Sequence, residues 1–463
     1  MSGIGLLIAF VVAIIVMILM ISKFHIHPFL SILTVSFVLG ILGGIPLNDI
    51  KNNGELVQQG IAGVIGKGFA GTFTSIGIVI IFGTIIGSLL EKTGAALKLA
   101  DMVVKIVGPK HPVLAIQIMG WVVSIPVFCD SGFVILNPIR RAMVKRTGAS
   151  SVAMTVGLSS GLYASHVFIP PTPGPIAAAN TLGVGNELLL VMGLGLLVSI
   201  PALVGAFFYA KYIGKKITAS DDVNENEVVE TYEEIVASYG KLPGGAISLA
   251  PILVPVLLMA MSNIASILGW TGALYTCFRF LGTPIVALAV GVIFGIMLLS
   301  SRKQGKELYQ IIDDCLKTAG PILFVTAAGG VLGTVIANTR LVDFITENAT
   351  TLQKIGIFFP FLLAAILKTA QGSSTVAITT TAGIVAPLLE VLGMSTPVGA
   401  ALVVMAIGAG AMTVSHANDS YFWVVTNFGG LKAEEGYKTQ TAVTLVEGLC
   451  GMAGVWILSL ILH

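Results

Sequence analysis

Residues 165–175 read SHVFIPPTPGP and decide how the chain around them can fold. This stretch lies inside the apolar segment 152–182, and its prolines remove backbone donors and break any helix that enters it. The flanking runs are too short to be two separate membrane spans, which disfavours an ordinary loop between helices. We therefore expect an unwound segment at membrane depth, where carbonyl groups and Thr172 are free to meet a ligand. Irregular backbone at that depth survives only where protein or a water-filled cavity satisfies it.

The composition around this stretch is that of a membrane protein. Of the 463 residues, 55% are hydrophobic and only 10% are charged. A soluble domain is about a quarter charged, so this chain cannot cover its surface with polar side chains. Runs such as 4–21 and 188–210 approach or exceed the ~20 residues that cross the hydrocarbon core of a bilayer. Barrel strands would alternate apolar and polar residues, and these runs do not, which predicts an all-α integral membrane protein.

The net charge, the cysteines and the first apolar run further restrict the class of protein and its expected partners. The net charge of +2, with no basic patch outside the loops, predicts a lipid bilayer but no nucleic acid as partner. The four cysteines lie far apart without CxxC or zinc spacing, so we expect no metal and no cofactor. The first apolar run has no basic residue before it and no small-residue cleavage site after it. We expect a retained first helix rather than a removed signal peptide.

The apolar segments form two sets on either side of an acidic, hydrophilic stretch. We interpret 211–245 as a cytoplasmic linker between an N-terminal transmembrane repeat at 1–210 and a C-terminal one at 246–463. The apolar segments themselves are 4–21, 29–45, 69–90, 113–139, 152–182 and 188–210, then 247–268, 283–299, 319–337, 358–392, 398–428 and 442–462.

Three pairs of short motifs recur in the same order in the two halves. They are IIGS (85–88) with VLGT (331–334), DSGF (130–133) with GSST (372–375), and SHV (165–167) with SHA (415–417). One such match would be weak, but three in register are harder to attribute to chance. Duplicated halves are typical of secondary transporters, which place the substrate site at the repeat interface.

Two other segments are interrupted in a way that predicts re-entrant hairpins. Segment 113–139 contains Pro126 and a polar cluster at 129–132, with basic residues at both ends, and segment 358–392 breaks around 369–374. Five crossings and one hairpin per half would invert the second half, put most Lys and Arg on the cytoplasmic side and leave both termini outside. The sequence thus predicts two inverted repeats, each with about five transmembrane helices, a re-entrant hairpin and a broken helix.

Ionisable residues inside the apolar segments are few, and we count Asp130, His166, Lys368, His416 and Asp419. A charge at the bilayer centre costs roughly 2.5–3.5 kcal/mol on insertion scales, so such residues usually face a cavity and pair or bind something. Because a membrane carboxyl can take up a proton on one side and release it on the other, Asp130 and Asp419 are the candidate proton carriers. His166 and His416 could assist, although a lone histidine is more often a hydrogen-bonded packing residue.

Lys368 is the natural partner for a substrate carboxylate. The residues after it offer hydroxyls, an amide and a loosened backbone, and half-helix N-termini starting there would point N–H groups at an anion. The alternatives are that Lys368 pairs with Asp130 or Asp419 and only locks helices together, and that the Ser/Thr-rich stretch is a packing interface. The candidate substrate-binding residues are Ser131, Thr172, Lys368, Gln371, Gly372, Ser373, Ser374, Thr375, Asn418 and Ser420.

An enzyme is disfavoured. The GxGxxG match at 66–71 follows no strand, and the GxSxG match at 157–161 has no strand–turn–helix context. A nucleophile–base pair of Ser159 with His166 is unconvincing. A sodium-coupled dicarboxylate carrier is a further alternative, but its anion should need more than one membrane cation, and only Lys368 is available.

Four segments together resemble the gluconate permease (GntP) family over nearly the whole chain. They are CDSGF (129–133), SHVFIPPTPGP (165–175), KTAQGSST (368–375) and SHANDSYFW (415–423). The resemblance implies a bacterial inner-membrane proton symporter of the ion transporter superfamily, with paired hairpins, an elevator-like movement and a homodimer. It implies uptake of a small hydroxylated acid, with gluconate first and idonate, glycerate or D-serine as alternatives. The residues do not separate these substrates, which share a carboxylate with a neighbouring hydroxyl or amine.

Overall fold

The computed structural model describes residues 3–52, 55–107, 111–219, 242–340, 344, 355–416 and 419–462. Most of the predicted linker, and Asn418, lie outside these ranges. Seven helical stretches in the described part are long and apolar enough to cross a membrane: Ile4–Ile21, Ser151–Thr181, Gly185–Ile213, Gly245–Ser266, Pro284–Ser301, Gly305–Ala337 and Ala433–Leu462. The prediction of a multi-pass helical membrane protein is confirmed.

Ten α-helices precede the gap at 220–241 within the described residues. A π-helical turn, Phe73–Gly77, joins the third to the fourth. The helices are α1 (Ile4–Ser22), α2 (Pro28–Leu42), α3 (Ile61–Thr72), α4 (Ile78–Lys92), α5 (Ala95–Val107), α6 (Pro112–Val123), α7 (Cys129–Thr147), α8 (Ser151–Phe168), α9 (Pro173–Thr181) and α10 (Leu188–Ile213).

Another ten follow the gap in the described part of the chain. The last is preceded by a second π-helical turn, Tyr437–Thr441. They are α11 (Gly245–Ile267), α12 (Gly272–Leu281), α13 (Pro284–Ser301), α14 (Leu308–Ala337), α15 (Phe358–Gln371), α16 (Ser374–Val385), α17 (Pro397–Met412), α18 (Ser420–Phe428), α19 (Ala433–Gly436) and α20 (Ala442–Leu462).

Two apolar segments are interrupted on each side of the gap at 220–241 in the described chain. In the first half, breaks separate α6 from α7 and α8 from α9, and in the second they separate α15 from α16 and α17 from α18. The breaks fall inside four of the predicted apolar segments, 113–139, 152–182, 358–392 and 398–428. Proline and glycine account for two of them: Pro170 and Pro171 follow α8, and Gly372 ends α15 with a left-handed φ of 87°.

The apolar segments of the sequence missed helices, and parts of helices, that carry charged residues. The amphipathic α5 and the short α12 were not predicted, and α5 contains an ion pair of Lys98 with Asp101 at 3.0 Å. The helix that contains segment 319–337 begins earlier, at Leu308. The apolar run missed its first turns because they contain Asp313 and Asp314. A small antiparallel pair of strands, β1 (Ile50–Asn52) and β2 (Glu55–Gln58), also departs from the all-α expectation.

Helices α8 and α17 form the centre of the molecule. Every residue of α8 is buried, as is α17 from Gly399 to Met412. Close packing depends on glycine: a Cβ on Gly161 would collide with the backbone of α6, and one on Gly410 with the backbone of α15. Since both helices are enclosed by protein, their interrupted ends can carry polar groups without facing lipid.

Candidate functional site

Three helix N-termini meet at one cavity of about 590 Å³. They belong to α7, α16 and α18. Ser373 caps α16 by accepting a hydrogen bond from the Val376 amide at 3.3 Å, and Asp419 caps α18 by accepting one from the Tyr421 amide at 3.1 Å. Helix N-termini present unpaired N–H groups and the positive end of the helix dipole. Their convergence makes the cavity suited to an anion.

Nine of the predicted site residues line this cavity. They come from the starts of the three helices and from α8, so residues far apart in sequence share one chamber. The nine are Asp130, Ser131, His166, Gly372, Ser373, Ser374, Thr375, Asp419 and Ser420.

Lys368 lies beneath the cavity and is paired rather than open to ligand. It is 1% exposed, its Nζ donates to Asp419 Oδ2 at 2.5 Å, and it also donates to the Gly372 carbonyl. The same Nζ lies 5.7 Å from the centre of the Tyr163 ring. Asp419 Oδ2 accepts a further hydrogen bond from Ser415 Oγ at 2.5 Å. The structure therefore has the ion pair that the sequence analysis raised as the alternative to direct substrate binding.

Two further predicted residues, Thr172 and His416, do not line this cavity. Thr172 is buried before α9, and its hydroxyl donates to the Ile169 carbonyl at 2.7 Å. His416 Nε2 lies 2.9 Å from the Thr369 carbonyl oxygen. The side chain of Gln371 is not among the described groups.

Three polar atoms of the cavity wall lack a hydrogen-bond partner within the described part of the chain. They are Asp130 Oδ1, His166 Nδ1 and the Tyr163 hydroxyl. Asp130 also has no ion pair there, in contrast to Asp419. Buried polar groups are normally hydrogen-bonded, so unpaired groups around an open volume are expected to bind what enters it.

The cavity wall includes residues that sequence reasoning missed. Tyr163 lies one turn before His166 on α8, and the two rings stack with centroids 6.5 Å apart. That spacing places both on one helix face, so the sequence could have identified Tyr163 as a neighbour of His166. Tyr421 directly follows Ser420. The opposite wall consists of Thr318, Pro321, Ile322 and Val325 of α14 with His27 and Pro28, and no chemical motif marks it.

The list of five ionisable residues inside the membrane was incomplete. Glu447 lies within predicted segment 442–462 and is 0% exposed. Arg140, the first residue after predicted segment 113–139, is also 0% exposed; it lies in α7 and donates to Asn137 at 2.7 Å and to Ser151 Oγ at 2.5 Å. Neither residue lines the cavity.

Comparison with known proteins decides the family. The model of the GntP family permeases matches residues 5–461. The chain belongs to this family. It is a multi-pass permease of the bacterial inner membrane and not an enzyme, as the sequence predicted.

The curated relatives match almost end to end. An uncharacterized permease of Haemophilus influenzae is 33% identical over 436 residues, covering 92% of this chain and 86% of the relative. A gluconate permease of Pseudomonas aeruginosa is 29% identical, with 99% and 98% covered. The D-serine transporter DsdX of Escherichia coli is 28% identical, with 97% of each covered.

A solved structure supports the fold. The YdaH transporter of Alcanivorax borkumensis superimposes with a TM-score of 0.63 at 17% identity, covering 94% of this chain and 97% of that one. The helical architecture of this GntP family member is therefore one found in a known transporter.

Proposed function

We propose that this permease takes up a small hydroxylated carboxylate, with gluconate as the leading candidate, together with a proton. The observation that carries the proposal is the convergence of three helix N-termini on one cavity. The charges of Lys368 and Asp419 compensate each other, so the dipole ends and N–H groups set the preference of the cavity for an anion.

In this proposal, Asp130 is the residue that binds the transported proton. Asp130 lies in the first turn of α7 and lines the cavity without an ion pair in the described chain. An ionised Asp130 would repel a carboxylate bound a few ångströms away and compete for the same N-terminus. Neutralising it favours the anion, and by linkage the bound anion favours the proton. Substrate and proton then bind together, which is the requirement for symport. Asp419, held by Lys368, and the two histidines are the secondary candidates.

The substrate class follows from the side chains of the wall. Five residues that carry hydroxyl groups line the cavity: Ser131, Ser373, Ser374, Thr375 and Ser420. They can serve as donors or acceptors for several hydroxyl groups on one ligand. The volume of about 590 Å³ falls within the ~300–1,000 Å³ of small-molecule sites. Relatives named for gluconate and for D-serine support a carboxylate with a neighbouring hydroxyl or amine, and D-serine or glycerate remains the alternative.

The architecture suggests how the site is reached. The matching order of interrupted helices supports two inverted repeats, 1–210 and 246–463, whose re-entrant hairpins are α6–α7 and α15–α16. Binding sites of such transporters lie where discontinuous helices of the two repeats meet. The elevator-like movement, the homodimer and the cytoplasmic position of 211–245 stay predictions.

Uptake by proteoliposomes tests the proposal. Accumulation of labelled gluconate should rise with an inward proton gradient and should not respond to an equal sodium gradient. The Asp130→Asn variant should lose the response to the proton gradient, whereas Glu390→Gln, at an exposed carboxylate, should keep it. Uptake driven by sodium alone would overturn proton coupling. Competition by unlabelled glycerate, D-serine and citrate identifies the preferred substrate.

A further inference from the structure

Glu447 is a buried carboxyl group away from the cavity wall. It lies on the inner face of α20, 0% exposed, and neither carboxyl oxygen has a hydrogen-bond partner within the described ranges. This face of α20 is tightly packed: neighbouring Gly448 abuts Thr413 and Ala409 of α17, and Gly451 abuts Phe168 of α8. Placing a carboxylate there without compensation would cost several kcal/mol.

No cation compensates this carboxyl among the described residues. Among the described titratable groups, the Tyr421 hydroxyl and the Cys450 thiol are close enough to interact with it electrostatically. Of the helices packed against α20, α17 has no titratable residue, and the two on α8, Tyr163 and His166, line the cavity. Lys211 of α10 and Lys438 of the π-helical turn are exposed. A carboxyl group in such surroundings takes the neutral, protonated form.

Further unpaired polar atoms belong to the elements around Glu447. Gln440 and Thr441, in the π-helical turn that leads into α20, leave Nε2 and Oγ1 without partners in the described structure. The Thr155 hydroxyl of α8 is likewise buried and unpartnered there. Few buried groups in native proteins are unsatisfied, and π-helical turns are frequent at functional sites. The described elements that pack against α20 therefore hold several buried polar atoms besides the Glu447 carboxyl whose hydrogen bonds are not satisfied.

Two chains of contacts join this region to the cavity. Tyr421 lines the cavity, and its hydroxyl donates to the Ser159 carbonyl at 3.0 Å. The Ser159 hydroxyl in turn donates to Gln440 Oε1 at 2.6 Å. On a second path, the amide of Ser415, whose hydroxyl binds Asp419, donates to Thr444 Oγ1 at 2.9 Å, one turn before Glu447.

We propose that Glu447 is a second proton-binding site of this permease, separate from the cavity and coupled to it through Tyr421 and Ser415. The carboxyl is neutral in the conformation described. A proton is the cation that fits, because it needs no ring of oxygen ligands and no free volume in this tightly packed contact. The coupling to the cavity rests on the proposed function, whereas the protonation of Glu447 does not.

Infrared spectroscopy of the purified, full-length permease tests the protonation. The wild type at neutral pH should show the carbonyl absorption of a protonated carboxylic acid, which Glu447→Gln should remove. The Asp130→Asn and Glu390→Gln variants should retain that component. If Glu447→Gln does not fold, Glu447→Asp keeps the acid in place and should shift its absorption instead.

Four results decide between the possibilities. An unchanged acid absorption in folded Glu447→Gln protein would overturn the proposal. A carboxylate absorption that responds to sodium chloride but not to choline chloride would overturn it in favour of a sodium site. An acid absorption that shifts on addition of gluconate, in the wild type but not in Tyr421→Phe, would support the coupling, and its absence would refute it. Failure of gluconate uptake with the acid absorption intact would overturn the proposed substrate alone.

Discussion

Lys368 and Asp419 form a buried ion pair, with Nζ 2.5 Å from Oδ2, between the last turn of α15 and the first of α18. The pair joins the two interrupted segments of the second half directly beneath the cavity. Asp419 is also the N-cap of α18. Its carboxylate therefore pairs with the Lys368 ammonium group, caps the helix and accepts a hydrogen bond from the Ser415 hydroxyl. The ion pair therefore fixes the relative position of two of the three helix N-termini that face the cavity.

Removal of either partner should destabilise the protein strongly. Lys368→Met leaves Asp419 buried and uncompensated, and breaking a buried pair in this way costs roughly 3–5 kcal/mol. The double variant Lys368→Met/Asp419→Asn should recover part of that loss, because no isolated charge remains. Thermal unfolding in detergent measures the double-mutant cycle. Additive losses would show that the two side chains are not coupled.

Interrupted helices were the part of the fold that the sequence could predict. A proline cluster such as Pro170–Pro171, or a glycine after Lys368, inside an apolar run has few interpretations at membrane depth. Helices that carry charge were missed, because a criterion based on apolar runs cannot recognise α5, with its internal Lys98–Asp101 pair.

The ion pairs and hydrogen bonds between side chains of the site could not be predicted to the same extent as the interrupted helices. From the sequence, Asp130 and Asp419 were equally possible ion-pair partners for Lys368. The structure shows that the partner is Asp419. Glu447 was overlooked although, as a lone carboxyl inside an apolar segment, it carried the same signal as Asp130. Local sequence signals identify candidate residues, whereas the partner of each residue depends on contacts between distant segments.

Asp130→Asn should remove the pH dependence of substrate binding. If proton uptake by Asp130 accompanies the anion, the wild type should bind gluconate more weakly as pH rises, while the neutral amide should bind with one affinity throughout. Calorimetric titration of both proteins across neutral pH measures this. Glu390→Gln is the matched control, because that carboxylate is exposed. A wild-type affinity that is constant with pH would contradict the assignment.

Ser373 should contribute separately to stability and to binding. Its hydroxyl caps α16 and also lines the cavity. Ser373→Ala removes the cap and should cost about 0.5–2 kcal/mol of stability, whereas Ser373→Gly should cost only a few tenths. Both lack the hydroxyl, so both should lose substrate affinity to a similar degree. Thermal unfolding and gluconate titration of the pair separate the two effects. Full affinity in Ser373→Gly would show that the hydroxyl does not contact substrate.

Gly372→Ala should strain the break between α15 and α16. Gly372 has a φ of 87°, which a residue with a Cβ adopts at a cost of roughly 1–2 kcal/mol, and its carbonyl accepts from Lys368. Relaxation of that strain would displace both the ion pair and the N-terminus of α16, so uptake should fall more than stability. Gly193→Ala is the matched control, because its position in α10 has open space for a Cβ and helical backbone. The two variants should differ in gluconate uptake at equal amounts of reconstituted protein, and equal uptake would show that the left-handed turn at Gly372 has no role in transport.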